Sequence, residues 1–99
     1  MGIGMAWGAL GYGQAWSEFP SVDACEKALC QSARRVYARV GPSPRGALMK
    51  RSASALRSQM RTDGLHALVH GREWHGEQGG VWVTLYPRTN HRARARHLR

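Results

Sequence analysis

The stretch from Leu65 to Tyr86 constrains this chain most. Two β-prone runs, Leu-His-Ala-Leu-Val-His and Val-Trp-Val-Thr-Leu-Tyr, flank ten polar and glycine-rich residues from Gly71 to Gly80. Short runs of this composition around a glycine-rich connection predict an antiparallel hairpin with a long loop. Side chains alternate faces along a strand. Leu65, Ala67, Val69, Val81, Val83 and Leu85 would then share one wholly apolar face, with His66, Leu68, His70, Trp82, Thr84 and Tyr86 on the other. An apolar sheet face is stable only under a covering layer.

Two helices between residues 21 and 64 can supply that layer. Ser21 is placed as an N-cap, with Asp23 and Glu26 in the early turns, where acids favour a helix start. Val22, Cys25, Leu29, Val36 and Val40 form an apolar stripe, Arg34, Arg35 and Arg39 crowd the end, and Gly41 is the stop signal. After Gly41-Pro42-Ser43-Pro44, a second helix is expected from Pro44 or Arg45 to Thr62. Its apolar stripe is Met49, Ala53, Leu56 and Met60, beside a basic stripe of Lys50, Arg57 and Arg61, and Asp63-Gly64 is read as its end. Ahead of the helices, Ile3, Met5, Trp7 and Ala9 alternate with Gly2, Gly4, Ala6 and Gly8. This opening is either a first strand or an arm, and the alternation favours the strand. The expectation is an α+β domain over residues 1–87, two helices on a small antiparallel sheet in the order β-α-α-β-β. A basic tail, residues 88–99, has the composition of a segment disordered without a partner.

Charge narrows the partners. Fifteen Lys and Arg against six Asp and Glu give +9, and thirteen of the fifteen are Arg. Guanidinium forks match phosphate oxygens and stack on bases, so nucleic acid, DNA or RNA, is the expected partner. The candidate contacts are Lys50, Arg57, Arg61, Arg72, Trp74, Arg88, Arg92, Arg94 and Arg96. An acidic protein partner is the other class such a chain can serve. No membrane span is expected, because the longest uncharged stretch, Met1 to Ser17, is interrupted by five glycines. Two cysteines, Cys25 and Cys30, are too few for a disulfide scaffold and suit a reducing cytoplasm. A three-stranded sheet would also leave an edge open to homodimer formation.

Metal or cofactor chemistry is not expected. On a strand, His66 and His70 would stand about 13 Å apart, too far to share one ion, and no Cys-x-x-Cys or His-Glu-x-x-His spacing occurs. General acid–base chemistry on RNA has candidates in Glu73, His91, Arg88 and Arg92: an acid, a base and cations for the phosphate. Asn90-His91-Arg92 after the last strand resembles the closing Gly-His-Arg of the small bacterial toxins of the RelE/ParE class, which implies a ribonuclease. Ser52 to Leu65, ending in Asp63-Gly64-Leu65, resembles a winged-helix recognition helix entering its wing, which implies DNA binding with the Arg72-Glu73-Trp74-His75 loop as the wing tip. A third possibility is a phage- or plasmid-type inhibitor that clamps a protein or nucleoprotein complex through Trp7, Trp16 and Trp74. Binding without catalysis is the expectation that the spread of basic residues favours.

Overall fold

A computed structural model describes residues 2–9 and 11–87. Four strands form one open antiparallel sheet: β1 (Ile3–Ala9), β2 (Gly13–Phe19), β3 (Trp74–Gln78) and β4 (Val81–Pro87), in the order β2-β1-β4-β3. Between the two hairpins runs the helical layer: α1 (Val22–Val40), then α2 (Pro44–Gln59), a π-helical turn (Met60–Gly64) and α3 (Leu65–Val69). The expected α+β class and the layer of helices over one antiparallel sheet are present. The element order differs from β-α-α-β-β, because the glycine-rich opening is a complete hairpin and both its strands join the sheet.

The first helix starts and stops where its residues dictate. Ser21 Oγ accepts from the Ala24 N–H at 3.1 Å, and Gly41, at φ 71°, closes the helix by donating its N–H to the Tyr37 carbonyl. Ser43 caps α2 in the same way through the Gly46 N–H, and Pro44 occupies the first turn, where its missing N–H costs nothing.

The core lies between the helices and the inner sheet face. Ile3 and Met5 of β1 and Val81, Val83 and Leu85 of β4 pack against Cys25 and Leu29 of α1, Met49 and Leu56 of α2, and Met60. Each fully buried side chain of this size contributes roughly 1.5–3 kcal/mol relative to exposure. Trp7 Nε1 donates to Ser32 Oγ at 2.8 Å, which ties the far end of β1 to α1.

The largest departure from expectation is the run Leu65–His70, which is helix α3 and its cap rather than a strand. Its alternating apolar residues do not line the core: Leu65 is exposed and Val69 is 74% exposed, while Leu68 alone of this turn packs on the core cluster. The expected stop at Asp63-Gly64 fails for a steric reason. Gly64 keeps helical backbone angles (φ −65°), and it brings the chain against β4, where a Cβ would stand 3.0 Å from Leu85 Cδ1. Glycine here serves close approach, so the helix continues through it.

The partner of β4 is instead β3, inside the segment expected to be loop. Gln78 pairs with Val81, leaving a two-residue turn at Gly79 and Gly80, with φ 53° and 85°. Two positive φ values in succession are what a tight hairpin turn of this hand needs, and glycine adopts them without strain.

Candidate nucleic-acid interface

None of the four strands carries a lysine or an arginine. The described cations lie on the helical layer, at Lys27, Arg34, Arg35, Arg39, Arg45, Lys50, Arg51, Arg57 and Arg61, and on the connection to β3, at Arg72. Along the helices they are distributed unevenly. Glu26, near the start of α1, faces Arg57 and Arg61 near the end of the α2 run, whereas Tyr37, near the end of α1, lies beside Lys50 near the start of α2. The two helices are therefore antiparallel, and Arg34, Arg35, Arg39, Arg45, Lys50 and Arg51 surround the end where they join. No Asp or Glu occurs between Glu26 and Asp63. All six of these cations are exposed.

The basic stripe expected on the second helix divides under this geometry. Lys50 sits at the joined end, with its Nζ 4.7 Å from the Tyr37 ring centroid, a cation–π contact that leaves the charge available. Arg57 and Arg61 pair instead with a buried carboxylate of α1. Glu26 is only 3% exposed; its Oε2 accepts from Arg61 Nε at 2.7 Å, and its Oε1 lies 3.6 Å from Arg57 Nε, too long for a hydrogen bond but close for an ion pair. The hydrogen bond from Arg61 to Glu26, together with the carboxylate charge, raises the Arg61 pKa above its ordinary value. The sequence contains no acid within the stripe itself, and the counter-charge comes from α1.

The other expected contacts are scattered. Arg72 is exposed beyond α3. Trp74 points to the inner face of β3 and packs on the core, its ring lying over Gly76, so it is neither a wing tip nor an exposed anchor. Trp7 is likewise packed against the core, while Trp16 stays exposed. Arg88, His91, Arg92, Arg94 and Arg96 lie outside the described residues. Of the acid–base candidates, Glu73 alone is described, in the connection before β3.

Histidines and cysteines also take definite places. Because α3 is helical, His66 and His70 stand one turn apart, ring centroids 4.5 Å from each other, and His70 Nδ1 donates to the His66 carbonyl at 2.9 Å. Among the described residues no group of three or more His, Cys, Asp and Glu side chains could hold a metal ion. Nor is any described helix long and apolar enough to cross a membrane.

Cys25 is buried in the core beside Glu26, whereas Cys30 is half-buried. Burial, reinforced by the Glu26 carboxylate, pushes the Cys25 thiol up to about 12. At pH 8 a thiol reagent should therefore modify Cys30 readily and Cys25 only on unfolding, since the thiolate is the nucleophile. Two equally fast labelling phases in the native protein would contradict this burial. Because the folded-state pKa is raised from 9.0 to about 12, the neutral Cys25 thiol costs no stability below pH 9. Stability is then lost as the pH climbs from 9 towards 12, because only the unfolded chain ionises there.

The joined end of the helical hairpin is foreshadowed in the sequence by the three arginines at the close of α1, which suit the helix dipole as well. What singles it out is the absence of acids between Glu26 and Asp63. No family model, no curated protein and no solved structure matches this chain.

Proposed function

We propose that this protein binds a nucleic-acid backbone through the joined end of its helical hairpin. The observation that carries the reading is the set Arg34, Arg35, Arg39, Arg45, Lys50 and Arg51, exposed at one end of the helical layer with no acid between Glu26 and Asp63. Phosphate contacts of this kind give affinity and little sequence preference. Arg72, and by composition Arg88, Arg92, Arg94 and Arg96, add to the same electrostatic attraction. The reading rests on this charge distribution and takes nothing from the winged-helix or toxin-like resemblance. The helical run from Pro44 to Val69 contains no non-helical turn that would separate a positioning helix from a recognition helix.

Electrophoretic mobility of duplex DNA, single-stranded DNA and RNA, each at two salt concentrations, tests the proposal. Arg34→Ala, Arg35→Ala and Arg39→Ala combined should weaken binding to all sequences alike. The salt dependence should flatten by about 0.7–0.9 in slope for every phosphate no longer neutralised. These side chains are exposed, so the triple variant should melt as the parent does. An unchanged affinity and slope would reject the site.

A further inference from the structure

Folding Leu65–His70 as a helix brings together two histidines that a strand would hold apart. Along the run from α2 into α3, Leu56, Met60, Gly64 and Leu68 recur at every fourth residue and all lie against the core. Four residues exceed one α-helical turn of about 3.6, and the wider π turn at Met60–Gly64 absorbs the excess. Leu68 is thereby held inward. His66 and His70, two residues to either side of it, point about 160° away from it around the helix axis, and both are exposed. The end of the run is closed firmly. Gly71, at φ 72°, donates its N–H to the Leu68 carbonyl at 3.0 Å, and the Arg72 N–H reaches the Ala67 carbonyl at 2.8 Å, the paired bonds of a glycine-closed helix end. The two histidines therefore sit on an anchored turn.

We propose that His66 and His70 chelate one divalent transition-metal ion of the copper(II) type, with water in its remaining positions. Histidines at i and i+4 on one helix face are spaced to ligate a single ion. Two imidazoles at neighbouring positions of one ion, with metal–nitrogen bonds of about 2 Å, have ring centroids roughly 4.5–5 Å apart. Here the centroids are 4.5 Å apart, with the planes tilted by 45°. The hydrogen bond from His70 Nδ1 to the His66 carbonyl, 2.9 Å, also sets the tautomer. A carbonyl only accepts, so the neutral ring carries its proton on Nδ1 and its lone pair on Nε2. That is the form in which a histidine ligates metal while its other nitrogen is held by an acceptor. The same carbonyl accepts the His70 backbone N–H at 3.3 Å, so ring and backbone are tied to one atom. The pair closes a continuous helical run from Pro44 to Val69, at the negative end of its dipole, which favours a cation. Imidazole suits copper, nickel and zinc over magnesium or calcium, and copper(II) binds tightest of these. A site of two ligands is smaller than the clusters of three or more that are lacking among the described residues. The inference is independent of phosphate binding by the joined helix end.

The full chain is titrated with copper(II), and separately with magnesium, by calorimetry and electron paramagnetic resonance. The tightest copper should bind once per chain with nitrogen couplings in its spectrum, and magnesium should not bind. His66→Ala and His70→Ala should each weaken that copper at least about tenfold, since losing a ligand costs no less than losing the group that orients one. His75→Ala, on β3, should bind copper as the parent does. Because His70→Ala also removes the bond from the ring to the helix, His66→Ala carries the test if that variant melts early. Copper should raise the melting temperature of the parent more than that of His66→Ala. Copper affinity unchanged in the double variant would place the ion elsewhere and overturn the proposal. So would a loss of sites without a loss of affinity in His66→Ala, the mark of two imidazoles binding separately. One ion per two chains would make the pair half of an intermolecular site and overturn it equally.

Discussion

Replacing Arg57 and Arg61 together by alanine should lower the melting temperature by roughly 15 °C or more, the scale expected when a buried charge loses its partners in a domain of this size. Glu26→Gln should lower it much less. The asymmetry comes from where the three groups sit: the Glu26 side chain is 4% exposed, those of Arg57 and Arg61 40% and 62%. Without Glu26 the two guanidinium groups turn to water, whereas without them the carboxylate stays in the interior uncompensated. Thermal denaturation of the three proteins checks this, and a Glu26→Gln variant as unstable as the double variant would refute it. Mutating Lys50, Arg57 and Arg61 together would therefore confound nucleic-acid affinity with unfolding; Arg34, Arg35 and Arg39 are the informative set.

Val83→Asp should prevent folding altogether. Val83 is fully buried at the middle of β4, opposite Trp7 of β1 and Gly76 of β3, and belongs to the apolar core cluster. An unpaired charge there costs several kcal/mol, comparable to the ~5–15 kcal/mol by which domains are stable. Circular dichroism and sedimentation of the purified variant decide it; a soluble variant with unchanged cooperative melting would mean that β4 is misplaced.

How far the sequence could be read depended on the kind of signal. Ser21, Gly41 and Pro44 act through local hydrogen bonding and backbone angles, so both long helices were legible to within a few residues. The inner face of β4 followed from its alternation, and so did the aromatic outer face of Trp82, Thr84 and Tyr86. Leu65–His70 misled because a five- or six-residue apolar run satisfies both periods, and the deciding fact is tertiary: Gly64 packs against Leu85 and lets the helix pass. Treating the ten-residue segment as loop hid β3, whose core-facing residues are a tryptophan folded over a glycine rather than an apolar row. The Glu26 cluster was illegible for another reason. Its members are 31 and 35 residues apart, and nothing in a one-dimensional charge pattern brings them together.

The pairing of β1 with β4, in which Ile3 lies opposite Pro87, sets the order in which the molecule can be assembled. Each hairpin is local and can close within microseconds, but the seam between them joins the two ends of the described span. On a ribosome adding about 5–20 residues per second, the first hairpin waits for seconds before β4 emerges. Throughout that interval β1 shows an unpaired edge and an apolar face bearing Ile3, Met5 and Trp7. The edge is equally ready for the β3–β4 hairpin of a neighbouring chain, and the helical segment between the hairpins is long enough to hand one across. Concentrated refolding should therefore yield exchanged dimers, while dilute refolding yields monomers, with β1–β4 closure as the slow step in both.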